Sequence, residues 1–386
     1  MGKRRGHGEG SIYQRESDGR WCCSVNVGYV NGKRKQKVIY GKTRKEVAEK
    51  LKVVLRDQQQ GLPIAVERQT VAHFLDNWLE TVVKQNTRPR TYDSYAQVVR
   101  LYLAPALGRH QLAKLEPQHV QAMMNDLGEH GGKDGTGLSP RTVTYARAIL
   151  RKALNQAVKW DQVPRNVAIL VDPPKAERHQ IAPLNPEQGR ALLNAVQGHR
   201  LEGLYRVAIS LGLRLGEALG LRWGDVDLDA GVLRIAVALQ RRKGSKELVA
   251  PKTQQSRRTL PIPPVLIAAL RAHRTRQIAE RLAVGPVWQD HGLVFPSTVG
   301  TPIEPRNLIR HFKGVLQVAD LPDIRFHDLR HTAASLLVAQ GVHPRVVMEI
   351  LGHSQISLTM NTYAHVLPEA QREAMAGMDT LFPEAL

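Results

Sequence analysis

The chain has 386 residues, of which 42% are hydrophobic and 23% charged, ordinary globular usage that excludes disorder over the whole length. Lys and Arg outnumber Asp and Glu by 55 to 35, a formal net charge of +20, so the expected partner is a polyanion, with nucleic acid ahead of an anionic membrane surface. No apolar run reaches the ~20 residues of a spanning helix and MGKRRGHGEG has no apolar segment behind its charges, which argues against a membrane span or a secretory leader.

Residues 1–60 hold 15 Lys/Arg against 6 Asp/Glu. Ser11–Tyr13, Arg20–Val27 and Lys35–Tyr40 read as strands, with turns at Asp18-Gly19 and Asn31-Gly32. Cys22 and Cys23 are the only cysteines and are adjacent. On a strand they point to opposite faces, which excludes a disulfide scaffold or a cysteine-based zinc site and makes a reducing cytoplasm the default compartment. Thr43 then caps a helix over TRKEVAEKLKVVLRDQQ, with Glu46 at capping-box distance. The sheet face of this module, 1–62, is expected to enter a DNA groove. Arg20, Lys33, Arg34, Lys35 and Lys37 are its contact candidates, with Lys3, Arg4 and Arg5 as a basic tail.

Residues 64–175 read as an all-α bundle. TVAHFLDNWLETVV, RTYDSYAQVVRLYL, EPQHVQAMMNDL and SPRTVTYARAILRKALNQAVKW repeat apolar residues every three or four positions. HGGKDGTGLSP is a flexible loop before the fourth helix. Arg88, Arg90, Arg100, Arg141, Arg147, Arg151 and Lys152 are expected to line a DNA-facing side. Asp172-Pro-Pro-Lys175 and the polar stretch to Pro183 read as a linker.

Residues 180–386 read as an α+β, mainly helical domain, with strands in GVLRIAVAL and RRTLPIP. SLGLRLGEALGLRW reads as helix–turn–helix, with Arg214 and Glu217 on one helical face. Lys252 falls at a hairpin turn in VAPKTQQSRRTLPI, with Lys243 and Lys246 as competitors. RFHDLRHTAASLLVAQG opens a helix on which His327 and Arg330 share a face and His331 lies one turn on. LGHSQISLTMNTYAHV brings His353 and, ten residues later, Tyr363. Each residue alone has an ordinary reading as a surface pair, a cap or a core side chain; their order and contexts carry the information.

In order the chain reads Gly212-Leu213-Arg214-Leu215-Gly216-Glu217-Ala218, Lys252, His327-Asp328-Leu329-Arg330-His331, Leu351-Gly352-His353 and Tyr363. This resembles the tyrosine recombinase (phage-type integrase) family over roughly residues 180–370. The family pattern is an Arg in a G-[LV]-R-x-x-E-[AL] context, a hairpin Lys, an H-x-L-R-H box, an L-G-H box and a Tyr. The helical block is similar to the family's core-site-binding domain, and the N-terminal block to its arm-site-binding domain.

The resemblance implies transesterification at a DNA phosphodiester without ATP, metal or any other cofactor. A phenol is a weak nucleophile near neutrality, with a pKa of ~10, so cations must surround the phosphate and hold the hydroxyl in line. Arg214 and Arg330 would grip the non-bridging oxygens. Lys252 would protonate the 5′ leaving oxygen, His353 would bond a phosphate oxygen, His327 would move protons, and Tyr363 would form a 3′-phosphotyrosyl link. Glu217, Asp328 and His331 would support the site. The expected setting is a phage or mobile element in a bacterial cytoplasm, on nucleoid DNA, with core-type and arm-type sites. Four protomers would assemble on DNA, with an excisionase-type directionality factor and a host DNA-bending protein. The C-terminal Leu367, Met375, Met378, Leu381 and Phe382 would cap their own domain or dock on a neighbour. Competing readings are a DNA-binding regulator without chemistry and a monomeric topoisomerase of type IB.

Overall fold

The computed structural model describes residues 12–30, 33–59, 69–175, 183–242, 244–251 and 256–352, without the side chains of 26–30, 33–35, 37 and 57–59. The chain divides into two compact units, Met1–Arg178 and His179–Leu386. Among the described residues no helix is long and apolar enough to cross a membrane.

The first unit opens with an antiparallel sheet of β1 (Ile12–Gln14), β2 (Trp21–Val30) and β3 (Lys33–Gly41) in that order. Cross-strand partners Ile12, Cys23 and Ile39 share the face that packs on Val47 and Leu51 of α1 (Arg44–Gln59). Tyr13, Cys22 and Tyr40 form the next row on the opposite face. The two cysteines therefore do sit on opposite faces, both free and buried. Thr43 caps α1 by accepting the Glu46 N–H at 3.2 Å, and the Glu46 carboxylate reaches back to the N–H of Lys42 at 2.8 Å, one residue earlier than a capping box requires.

Helices follow: α2 (Val71–Trp78), α3 (Lys84–Asn86), α4 (Pro89–Val98), α5 (Ala104–Leu107), α6 (Pro117–His130) and α7 (Pro140–Lys159). Wide π turns at Leu79–Val83 and Val99–Leu103 carry α2 into α3 and α4 into α5. Prolines open α4, α6 and α7, where the missing N–H costs nothing. Phe74, Leu103, Leu107, Ile149, Leu150 and Leu154 are fully buried at their common core. The loop expected to be flexible between α6 and α7 is closed by backbone bonds, Gly132 to Thr136 at 2.6 Å and Leu138 to Leu127 at 2.9 Å.

In the second unit α8 (Pro186–Ala195), α9 (Glu202–Leu211) and α10 (Leu215–Leu219) lead into short strands. The strands expected in GVLRIAVAL belong to two different sheets. β5 (Val232–Ile235) lies between β4 (Val226–Asp227) and β8 (Arg258–Pro261), whereas β6 (Ala238–Arg242) pairs only with β7 (Ser245–Val249). Four helices complete the unit: α11 (Pro264–Val284), α12 (Pro305–Val318), α13 (Asp328–Ala339) and α14 (Pro344–Leu351). Tyr205 and Leu204 on α9, Phe295, and Phe312 on α12 fill the core, and α14 packs through Val347 and Leu351 on Ala334 and Val338 of α13.

Candidate active site

The site is built where two helices end. α9 stops at Gly212 (φ +60°) and α14 at Gly352 (φ +64°), both left-handed. That conformation ends a helix and is least strained for glycine. A Cβ on Gly212 would also lie 2.5 Å from Leu351 Cδ2, so the two helix ends are pressed together. The last carbonyls of a helix lack internal partners and carry the negative end of its dipole.

Here guanidinium groups take those carbonyls. Arg330 of α13 is only 1% exposed; its Nη1 donates to Gly212 O at 2.9 Å and its Nη2 to Leu351 O. Arg214 Nη2 donates to Gly352 O at 3.0 Å. Arg258, which opens β8, donates from Nε to Ile350 O at 2.6 Å. Three consecutive carbonyls at the end of α14 thus face three arginines from three different elements.

Glu217 lies beneath them, 4% exposed. Its Oε1 is 2.7 Å from Arg214 Nη1 and its Oε2 is 3.1 Å from Arg258 Nη2. Burial alone would raise this carboxyl, but the charge and hydrogen bonds of Arg258, then those of Arg214, hold it below the usual carboxylate range. Arg214 corrects one expectation: it is not on a helical face. It is the extended N-cap residue of α10 (φ −65°, ψ 149°), and its own N–H donates to Glu217 Oε2 at 3.1 Å. Two guanidiniums, Arg214 and Arg258, share this one carboxylate, Arg330 lies on the neighbouring carbonyls, and Arg214 is still 37% exposed. A buried excess of cation beside an exposed guanidinium is a place for an anion.

His327 occupies the N-cap position of α13, without a side-chain capping bond, and meets His331 edge to face, with ring centroids 5.2 Å apart. Burial, then the Arg330 charge, lowers the His327 pKa from its ordinary value, favouring the neutral imidazole. His331 is pushed down to about 4 by burial and then by His327. Asp328, 2% exposed, accepts Arg325 Nη2 at 2.7 Å and the Arg325 N–H at 2.8 Å. Burial would raise that carboxyl, and Arg325 overcomes it, holding it below its ordinary value.

Of the expected site residues, Arg214, Glu217, His327, Asp328, Arg330 and His331 are described, and Arg214, Glu217 and Arg330 meet at the end of α14. Lys252, His353, Tyr363 and the C-terminal apolar residues lie outside the described residues. The turn expected at Lys252 therefore also lies outside the described residues. Arg242 pairs with Ser245, which closes the β6–β7 hairpin, and in sequence Lys252 comes between β7 and β8. Arg258 and Arg325 were missed, because an arginine in a chain with 55 Lys and Arg has no distinguishing context.

Among the expected DNA contacts, Arg20, Arg88, Arg90, Arg100, Arg141, Arg151 and Lys152 are exposed. Lys33, Arg34, Lys35 and Lys37 lie on β3, with side chains outside the described residues, as are Lys3, Arg4 and Arg5. Arg147 is a correction: it is 8% exposed, because it occupies the stripe Val143, Arg147, Leu150, Leu154 that α7 turns to the core.

Residues 183–370 match the family model described as "Phage integrase family", and residues 70–128 match "Phage integrase, N-terminal SAM-like domain". A tyrosine recombinase XerC-like protein of Caldanaerobacter subterraneus is 32% identical over 91% of this chain and 93% of its own length. An integrase of Streptomyces ambofaciens is also 32% identical, over 99% of this chain and 98% of its own. Among solved structures, the Tn1549 transposon integrase in complex with a circular intermediate DNA has a TM-score of 0.68 at 22% identity, covering 80% of this chain and 99% of that one. A lambda integrase dimer bound to a core site has a TM-score of 0.55 at 15% identity, covering 93% and 96%. At that identity the two structures speak for the fold. Together with the sequence matches, the chain belongs to the phage integrase family of tyrosine recombinases, enzymes of site-specific DNA cleavage and rejoining.

Proposed function

We propose that this recombinase integrates and excises a phage or mobile element, and that Arg214 and Arg330 hold the scissile phosphate. The observation that carries this reading is the convergence of both arginines on the carbonyls immediately ahead of His353, which brings three separated motifs to one point. In the reaction the phenolic oxygen of Tyr363 bonds to phosphorus and the bond from phosphorus to the 5′ oxygen breaks. The Lys252 ammonium gives that oxygen its proton. The phenol proton passes to His327, whose lowered pKa keeps it neutral and able to accept. His353 bonds a phosphate oxygen, and Glu217, Asp328 and His331 support the site. The phosphotyrosyl link retains the energy of the original diester, so a 5′-hydroxyl from the partner strand reverses the step without ATP.

Around this centre we assign 1–62 to arm-type sites, 64–175 to core-type sites and 180–386 to catalysis. The net charge of +20 serves phosphate contacts that give affinity with little sequence choice. Strand exchange requires a tetramer on two duplexes. An excisionase-type factor and a host DNA-bending protein bias its direction on nucleoid DNA.

A suicide substrate carries the element's attachment site with a nick beside the cleavage point, so that cleavage releases a short strand and traps the enzyme. The wild-type protein is expected to trap it covalently, and Tyr363→Phe to bind the same DNA without trapping. An adduct formed by Tyr363→Phe would overturn the nucleophile assignment. Relaxation of any supercoiled plasmid without site preference would replace recombination with a topoisomerase.

A further inference from the structure

We infer that Arg258 is a positioning residue of this site, holding the Glu217–Arg214 pair, the connection that carries Lys252 and the end of α14 in one arrangement. The inference rests on the assignment of Arg214, Lys252 and the segment at His353 to the reaction.

One buried side chain, 7% exposed, reaches all three places. Nη2 donates to Glu217 Oε2 at 3.1 Å and Nη1 approaches Glu217 Oε1 at 3.4 Å. Nη1 also donates to Ser256 O at 3.2 Å, inside the β7–β8 connection and four residues after Lys252. Nε donates to Ile350 O at 2.6 Å, three residues before His353. Only a planar fork with donors in three directions makes this set; a lysine ammonium is a single point of charge.

The charge also matters. Glu217 beside Arg214 alone would cancel the guanidinium offered to the phosphate. A second guanidinium on the same carboxylate restores the positive balance while keeping the Glu217 oxygens that orient Arg214. An ion pair this deeply buried is a weak source of stability in itself, since an apolar side chain of similar volume commonly does as well. What that apolar side chain would lose is the alignment of three catalytic segments.

The test is single-turnover cleavage of the suicide substrate at saturating protein, with melting temperature and DNA affinity measured alongside. Misplacing reacting groups by about 1 Å costs about a hundredfold, so Arg258→Ala is expected to cleave about a hundredfold more slowly with DNA affinity within about threefold. Its rate–pH profile adds a readout that a packing role would not move. Glu217 loses a cationic partner, its carboxyl titrates at higher pH, and the acidic limb of the profile shifts upward. Arg258→Lys keeps the charge and loses the fork, so it is expected to be about tenfold slow, with its acidic limb closer to the wild type. Folded Arg258→Ala cleaving within about twofold of the wild type, with an unmoved limb, would overturn the inference. Should the alanine variant fail to fold, Arg258→Lys at the wild-type rate would overturn it equally. If the wild-type protein forms no adduct, or Tyr363→Phe forms one, the mechanism itself fails and takes this inference with it.

Discussion

A histidine held neutral inside a folded protein links folding to acidity. His331 has its folded pKa pushed down to about 4, against 6.5 for the free side chain, and His327 is shifted the same way. Above pH 6.5 both states are neutral at these rings and nothing is lost. As the pH falls from 6.5 toward 4 the unfolded chain takes up protons that the folded chain refuses, so stability declines through that window and levels off below it. Urea unfolding between pH 7.5 and 4.5 is expected to show this decline. His331→Gln should make it shallower, and an equally steep loss in that variant would show that His331 is not the group responsible. The residue types of this site were legible because each stands in a distinctive context, G-L-R-x-x-E or H-x-L-R-H. Their arrangement was only partly so. The i,i+3 spacing of Arg214 and Glu217 fits a helical face and an N-cap equally well, and the cap won because Gly212 has already ended α9. Arg258 was invisible, since nothing in S-R-R-T-L-P separates a buried fork from a solvated cation.

Helix ends organise the catalytic unit. Gly212 and Gly352 turn the chain left-handed, and the carbonyls they leave open become the anchor for Arg330, Arg214 and Arg258. Gly212→Ala is therefore expected to do two things. A left-handed non-glycine residue costs about 1–3 kcal/mol, read as a lower urea midpoint, and the added Cβ, 2.5 Å from Leu351 Cδ2, must push α9 and α14 apart. Cleavage should then fall further than the loss of folded protein accounts for; a full rate per folded molecule would show that the junction tolerates the displacement. Most elements of the bundle were legible from apolar spacing. Arg147 shows the limit, because residue type suggested a surface while the period placed it on the buried stripe of α7. GVLRIAVAL reads as strand by residue type throughout, and its halves join different sheets. Pairing between distant segments decides that, and local sequence does not encode it.

On the scale of the whole molecule, the proposed mechanism has a chain with a net charge of +20 meet a polyanion, and Arg214 and Arg330 meet one of its phosphates. The first effect is spread over many exposed Arg and Lys and weakens with salt. The second is local: Arg214 and Arg330 are held in place by backbone carbonyls before any DNA arrives, the kind of fixed arrangement that favours charge developing in a transition state. The two can be separated by changing the charge of the scissile linkage alone. In a suicide substrate whose scissile phosphate is replaced by a neutral methylphosphonate, the attacking phenol no longer meets an anion and one guanidinium has less to offset. On the ordinary phosphodiester, Arg330→Ala is expected to lose about 10²–10³ in single-turnover cleavage rate, the usual consequence of removing one preorganised donor. On the methylphosphonate that deficit should shrink to within about tenfold of the wild-type protein. An undiminished deficit on the neutral linkage would contradict the account, because Arg330 would then be acting on the protein and not on the phosphate.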